Sequence, residues 1–126
     1  MPVTPNEWLQ QADYDMETAE YMFSGGRAFY AVFMLHLSVE KALKGLYLKK
    51  LQTVPPKTHN LILLLKETGS SPGEDMHKFI IRLNEASVTT RYPEDLRQLI
   101  EHFDNETVKK ILSQGKEFLK WIKSQF

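Results

Sequence analysis

Residues Ala28 to Leu51 read AFYAVFMLHLSVEKALKGLYLKKL, a stretch without proline and with a single internal glycine, Gly45. In its first half, apolar side chains fall on nearly every side: Phe29, Tyr30, Val32, Phe33, Met34, Leu35, Leu37 and Val39. A helix that is apolar all round has to be covered from several directions. Its second half turns one-sided, and Lys41, Lys44, Lys49 and Lys50 are expected to face water. Followed in alternating steps of four and three, one stripe runs Phe29, Phe33, His36, Glu40, Leu43, Tyr47. That spacing marks a helical packing seam, and two titratable side chains stand inside it.

On the N-terminal side, Thr4-Pro5-Asn6-Glu7 has the form of a helix start: Thr4 as cap, proline at the first position, Glu7 reaching back as a capping box. This first helix turns Trp8, Ala12, Ala19, Met22 and Phe23 inward, groups Asp13, Glu17 and Glu20 outside, and stops at Gly25-Gly26. The turn into the central helix is very short, so the two are expected as antiparallel neighbours. On the other side, Pro55-Pro56 ends the hairpin and Thr58 is placed to cap a short helix from His59 to about Thr68. A fourth helix is expected from Glu74 through Met76, Phe79, Ile80 and Leu83 to about Ser87, where Val88-Thr89-Thr90 lowers helical preference. Tyr92-Pro93 must be extended or turning. Leu96, Leu99, Ile100 and Phe103 then recur at helical spacing, as a short extra helix or a packed loop. Asp104 or Asn105 caps the last helix, with Val108, Ile111, Leu112, Gly115, Phe118, Leu119 and Ile122 inward. The pattern is all-α: an up-and-down four-helix bundle with a short additional helix or packed loop before the last helix, in one domain over residues 1–126.

A chain of 126 residues can bury one core. Sixteen basic and sixteen acidic residues cancel, so no global charge points to nucleic acid. The charges are unevenly placed, with acids before Arg27 and Lys109, Lys110, Lys116, Lys120 and Lys123 crowding the end. Zero cysteines exclude disulfides and zinc-thiolate sites. The start, MPVTPNEW, has neither a basic segment nor an apolar signal core, and His36, Glu40, Lys41 and Lys44 interrupt the one long apolar run. The expectation is a soluble cytoplasmic protein, not in a membrane. The four histidines lack metal-ligand spacing, and there is no phosphate-binding glycine loop or serine elbow, so no cofactor is expected.

The early Trp8 helix with Ala12-Asp13, then FMLHLSVEKALK from Phe33 to Lys44, then Thr58-His59-Asn60-Leu61, then Arg91-Tyr92-Pro93, together resemble the HEPN domain family (higher eukaryotes and prokaryotes nucleotide-binding) in order and spacing. The resemblance implies a helical bundle that is commonly a homodimer. It also implies a minimal nucleotidyltransferase protein as partner, and roles in nucleotide binding or toxin–antitoxin pairs. Many members of the family are ribonucleases that use an arginine and, four to six residues later, a histidine at the dimer interface.

One such string is present, from Arg97 to His102, which makes these two the candidate catalytic residues. If the segment is helical they stand about 140° apart on the wheel, so a dimer partner would have to supply the second group. The ribonuclease branch usually has a tyrosine two residues after the histidine, where this chain has Asp104. His36 and Glu40, one turn apart, are either a proton-transfer couple lining a polar pocket or a buried pair satisfying each other. Glu40 and Lys44 have the spacing of an ordinary stabilising helical pair. His59, at a helix start, is a candidate for holding an anion beside free backbone N–H groups. Arg91 and Tyr92 flank a fixed bend and can offer a guanidinium and a phenol to a phosphate and base; equally, they can pack and pair within the bundle. The terminal lysine stripe can track a nucleic-acid backbone, but attraction to the acidic first helix accounts for it better. The sequence therefore favours a non-catalytic module that dimerises and works with a nucleotidyltransferase, binding a nucleotide. A metal-independent ribonuclease toxin acting on RNA is the alternative, and a protein-interaction adaptor without a ligand is the third reading.

Overall fold

The stretch from Ala28 to Leu51 is one uninterrupted helix, and all five other helices pack against it. The structure is a computed structural model describing residues 3–91 and 94–126, with side chains described for all of these except 88–91. In chain order the elements are α1 (Pro5–Ser24), α2 (Ala28–Leu51), α3 (Leu61–Glu67), α4 (Glu74–Arg91), α5 (Leu96–His102) and α6 (Asn105–Gln125). Among the described residues every regular element is a helix, four long and two short, and none is long and apolar enough to cross a membrane. Leu35, Val39, Leu43 and Leu46 of α2 are fully buried, as are Leu64, Ile80, Phe118 and Ile122 of the helices around it. Burial of each such side chain contributes roughly 1.5–3 kcal/mol, and this is where the stability of the bundle resides.

Local chemistry sets the helix ends. The Thr4 hydroxyl accepts the Glu7 amide at 3.1 Å, whereas the Glu7 carboxylate takes the Gln11 side chain and does not close a capping box. Gly25 and Gly26 stop α1, the latter at φ 81°, and the chain reverses directly into α2. The inner face of α6 consists of the seven residues its periodicity picks out. Lys116 meets Glu20 at 3.0 Å and Lys123 meets Asp13 at 2.8 Å, so these two lysines of the terminal stripe pair within the chain with acids of α1.

Three further expectations need correction. The third helix begins at Leu61, not His59, because Asn60 is its cap and accepts the Leu63 amide at 3.1 Å; Thr58 instead takes the amide of Asn60. The fourth helix does not stop near Ser87 but continues to Arg91, since the few tenths of a kcal/mol that each β-branched residue costs are too small to end a packed helix. Lys44 does not face water. It is buried, and Lys41 is half-buried against Asp15 at 2.9 Å.

Asp104 caps α6, accepting the Thr107 amide at 2.8 Å. That bond first, then the Thr107 hydroxyl, then the charges of His102 and Lys110, hold its carboxyl below the ordinary value of 3.8. A group whose folded value is depressed contributes stability that is complete above its unfolded value and is lost as pH falls through the folded one. Asp104→Asn keeps a good cap without the charge. It is expected to flatten the loss of stability that sets in as pH falls below the ordinary carboxylate value of 3.8, read by urea unfolding. An unchanged acid limb would contradict this.

Candidate functional site

Glu40 lies at mid-seam on α2, and its side chain is only 6% exposed. Its two oxygens serve different partners. Oε1 accepts from His59 Nδ1 at 2.8 Å and Oε2 from Lys44 Nζ at 3.1 Å, while His36 Nδ1 lies 3.9 Å from Oε1, beyond hydrogen-bond range. An ionised carboxylate only accepts, so the bond to Nδ1 directs Nε2 of His59 away from Glu40. The His59 side chain is 62% exposed although its partner is buried. The bond therefore joins the interior of the bundle to its surface where the chain enters α3.

The surroundings of this centre follow from close packing of α1 on α2. A Cβ at Gly45 would lie 3.0 Å from Trp8 Cβ and 3.1 Å from the Pro5 carbonyl oxygen, so glycine there lets the start of α1 settle onto α2. Trp8 then sits with Lys44 Nζ 5.8 Å from its ring centroid, which is within cation–π range. Nearer the middle of α2, the buried Ser38 hydroxyl donates to the Ala12 carbonyl at 2.6 Å. Trp8, Ser38 and Asn84 are polar contributors that sequence reasoning did not assign to the site. Asn84 accepts the Leu61 amide at 2.8 Å, and no periodicity signals a contact between such distant residues.

The candidate residues thus divide. His36, Glu40, Lys44 and His59 come together. The proposed anion site at the start of the third helix is not formed as expected: His59 precedes the helix, and the amides of Asn60, Leu61 and Leu63 are taken by Thr58, Asn84 and Asn60. Arg91 closes α4, but its side chain lies outside the described residues, as does Tyr92. Arg97 and His102 both lie on α5, which is helical throughout. Five residues of helix place them about 140° apart. Arg97 is exposed on one flank, while His102, with Arg82 and Glu85, edges a hollow of about 270 Å³ between α4 and α5. A second hollow, about 380 Å³, separates α5 from the α1–α2 turn and is lined by Tyr30, Leu96 and Ile100. These three are 42%, 57% and 54% exposed, large apolar side chains left uncovered in the monomer. Among the described residues no three His, Asp or Glu side chains are grouped as a metal site requires.

A profile of the HEPN domain matches residues 5–125. The crystal structure of TT1696 from Thermus thermophilus has the same fold, with a TM-score of 0.84 at 20% identity over 99% of this chain and 100% of that one. The crystal structure of ST0689, an archaeal HEPN homologue, gives a TM-score of 0.78 at 26% identity over 99% and 98% of the two chains. No match was found among curated proteins.

Proposed function

The chain belongs to the HEPN domain family, and on that footing we propose that it is a non-catalytic member that dimerises, binds a nucleotide and acts with a minimal nucleotidyltransferase protein in a toxin–antitoxin-like pair. The observation that carries this reading is the divergence of Arg97 and His102 on α5, joined by Asp104 in place of the tyrosine that usually follows the histidine in the ribonuclease branch. In-line attack on a phosphodiester needs its charged and proton-transferring groups within hydrogen-bond reach of one phosphate, and one copy of this chain does not bring them there. The uncovered Tyr30, Leu96 and Ile100 supply an apolar face for a second copy. The nucleotide is assigned to Arg91 and Tyr92.

A metal-independent ribonuclease toxin is the second reading. It is favoured by the exposure of both Arg97 and His102, which leaves each able to meet a group from another copy. RNA incubated with the purified protein and a chelator is expected to remain intact, while a nucleotide binds saturably and Arg91→Ala abolishes that binding. RNA cleavage lost in His102→Ala but retained in Lys109→Ala would overturn this in favour of the ribonuclease. Absence of both cleavage and nucleotide binding would leave the adaptor.

A further inference from the structure

We propose that the hollow between α4 and α5 is a binding site for a small aromatic acid, a ligand with one planar ring system and one anionic group. Its floor is made of side chains already inside the core, Val32 and Leu83 at 0% and 1% exposure, with Phe79 and Phe103 at 4% and 6%. A polar group pushed onto such a floor would lose its water without gaining a hydrogen bond, so the inserted part of the ligand is apolar. The edges of the two phenyl rings in this floor favour an aromatic partner. About 270 Å³ sits just under the usual range for ligand pockets and suits one or two fused rings.

The rim supplies the selectivity. Arg82 and Glu85 are exposed on α4, His102 is exposed at the end of α5, and all three line the hollow. None of the ion pairs among the described residues uses Arg82 or Glu85. A guanidinium outside any such pair can donate two parallel hydrogen bonds to a carboxylate, and the neighbouring Glu85 accepts a ring N–H while disfavouring a second negative charge. The far wall is a helix of seven residues with none of them buried, shorter than helices that stand alone in water. A ring seated against Leu99 and Phe103 covers the inner flank of that helix, so the ligand also fixes α5. Among the described residues that line it, none is a nucleotide contact proposed above.

Indole-3-acetate carries the required ring, N–H and carboxylate. Calorimetric titration of the full chain is expected to show binding, with slower hydrogen exchange at the α5 amides in its presence. Arg82→Gln, at an exposed position that should leave the circular dichroism unchanged, is expected to weaken indole-3-acetate about tenfold or more and leave indole-3-acetamide unaffected. Leu99→Trp fills the hollow and is expected to abolish binding of both. No binding at millimolar concentration, or equal loss of acid and amide in Arg82→Gln, would overturn the proposal. So would competition by AMP as strong as that of the acid, because the hollow would then be a nucleotide site.

Discussion

Glu40→Ala is expected to lower the free energy of unfolding by about 3 kcal/mol, read from the urea midpoint at constant slope. The size follows from burial. A Glu–Lys pair four residues apart on an open helix face is worth only about 0.3–0.5 kcal/mol, and EKALK in isolation looks like such a pair. Here the carboxylate side chain is 6% exposed and the Lys44 side chain 11%. Truncating Glu40 therefore strands a buried ammonium and removes the acceptor of His59, and breaking a buried pair in this way costs roughly 3–5 kcal/mol. Lys44 keeps some access to water beside Trp8, which places the expectation at the lower end. Adding Lys44→Met to Glu40→Ala is expected to recover part of the loss, because the stranded charge is then gone. A loss below about 1 kcal/mol for Glu40→Ala would mean that the pair behaves as an exposed one.

Gly115→Val is expected to destabilise the chain by about 3 kcal/mol. A Cβ at this position collides with Leu35 Cδ1 and lies 3.1 Å from Cδ2 and 3.3 Å from Cγ. Leu35 is fully buried, so it cannot swing into solvent to make room. Replacing glycine inside a helix ordinarily gains up to about 1 kcal/mol, but that gain is outweighed where α6 crosses α2. Leu35→Ala alone is expected to cost about 3 kcal/mol through loss of contacts and the cavity left behind. Combined with Gly115→Val, the total should fall short of the sum by at least about 1 kcal/mol, since the new methyls occupy that space. Strict additivity would show that the two helices do not meet there.

Much of this architecture is legible in the chain. The bounds of α2 follow from an apolar run closed by Gly25-Gly26 before it and by Pro55-Pro56 after it, and the face of α6 follows from its period. The start of α3 is not legible in the same way. Thr58 and Asn60 are both good caps by residue type, and the choice between them depends on tertiary contacts: His59 bonds to Glu40 across 19 positions, and Asn84 takes the first amide of the helix. Lys44 is instructive for another reason. Its charge suggests water, yet it stands one turn after Glu40 and two turns after His36, on the buried seam. Position on the helix outweighs residue type here because Glu40 and the Trp8 ring receive the ammonium. The hollow at Arg82 and Glu85 leaves no trace in the sequence, since it depends on how far α5 stands from α4.

The site is organised by a buried carboxylate on α2 that grips the imidazole of His59 at Nδ1. Nitrogen-15 chemical shifts of the His59 ring, recorded where the ring is neutral, test this grip. The expected result is a proton on Nδ1 in the native chain and a shift toward the Nε2–H form, the usual one for a free imidazole, in Glu40→Leu, which has no acceptor. An Nε2–H ring in the native chain, or the same tautomer balance in both proteins, would contradict it.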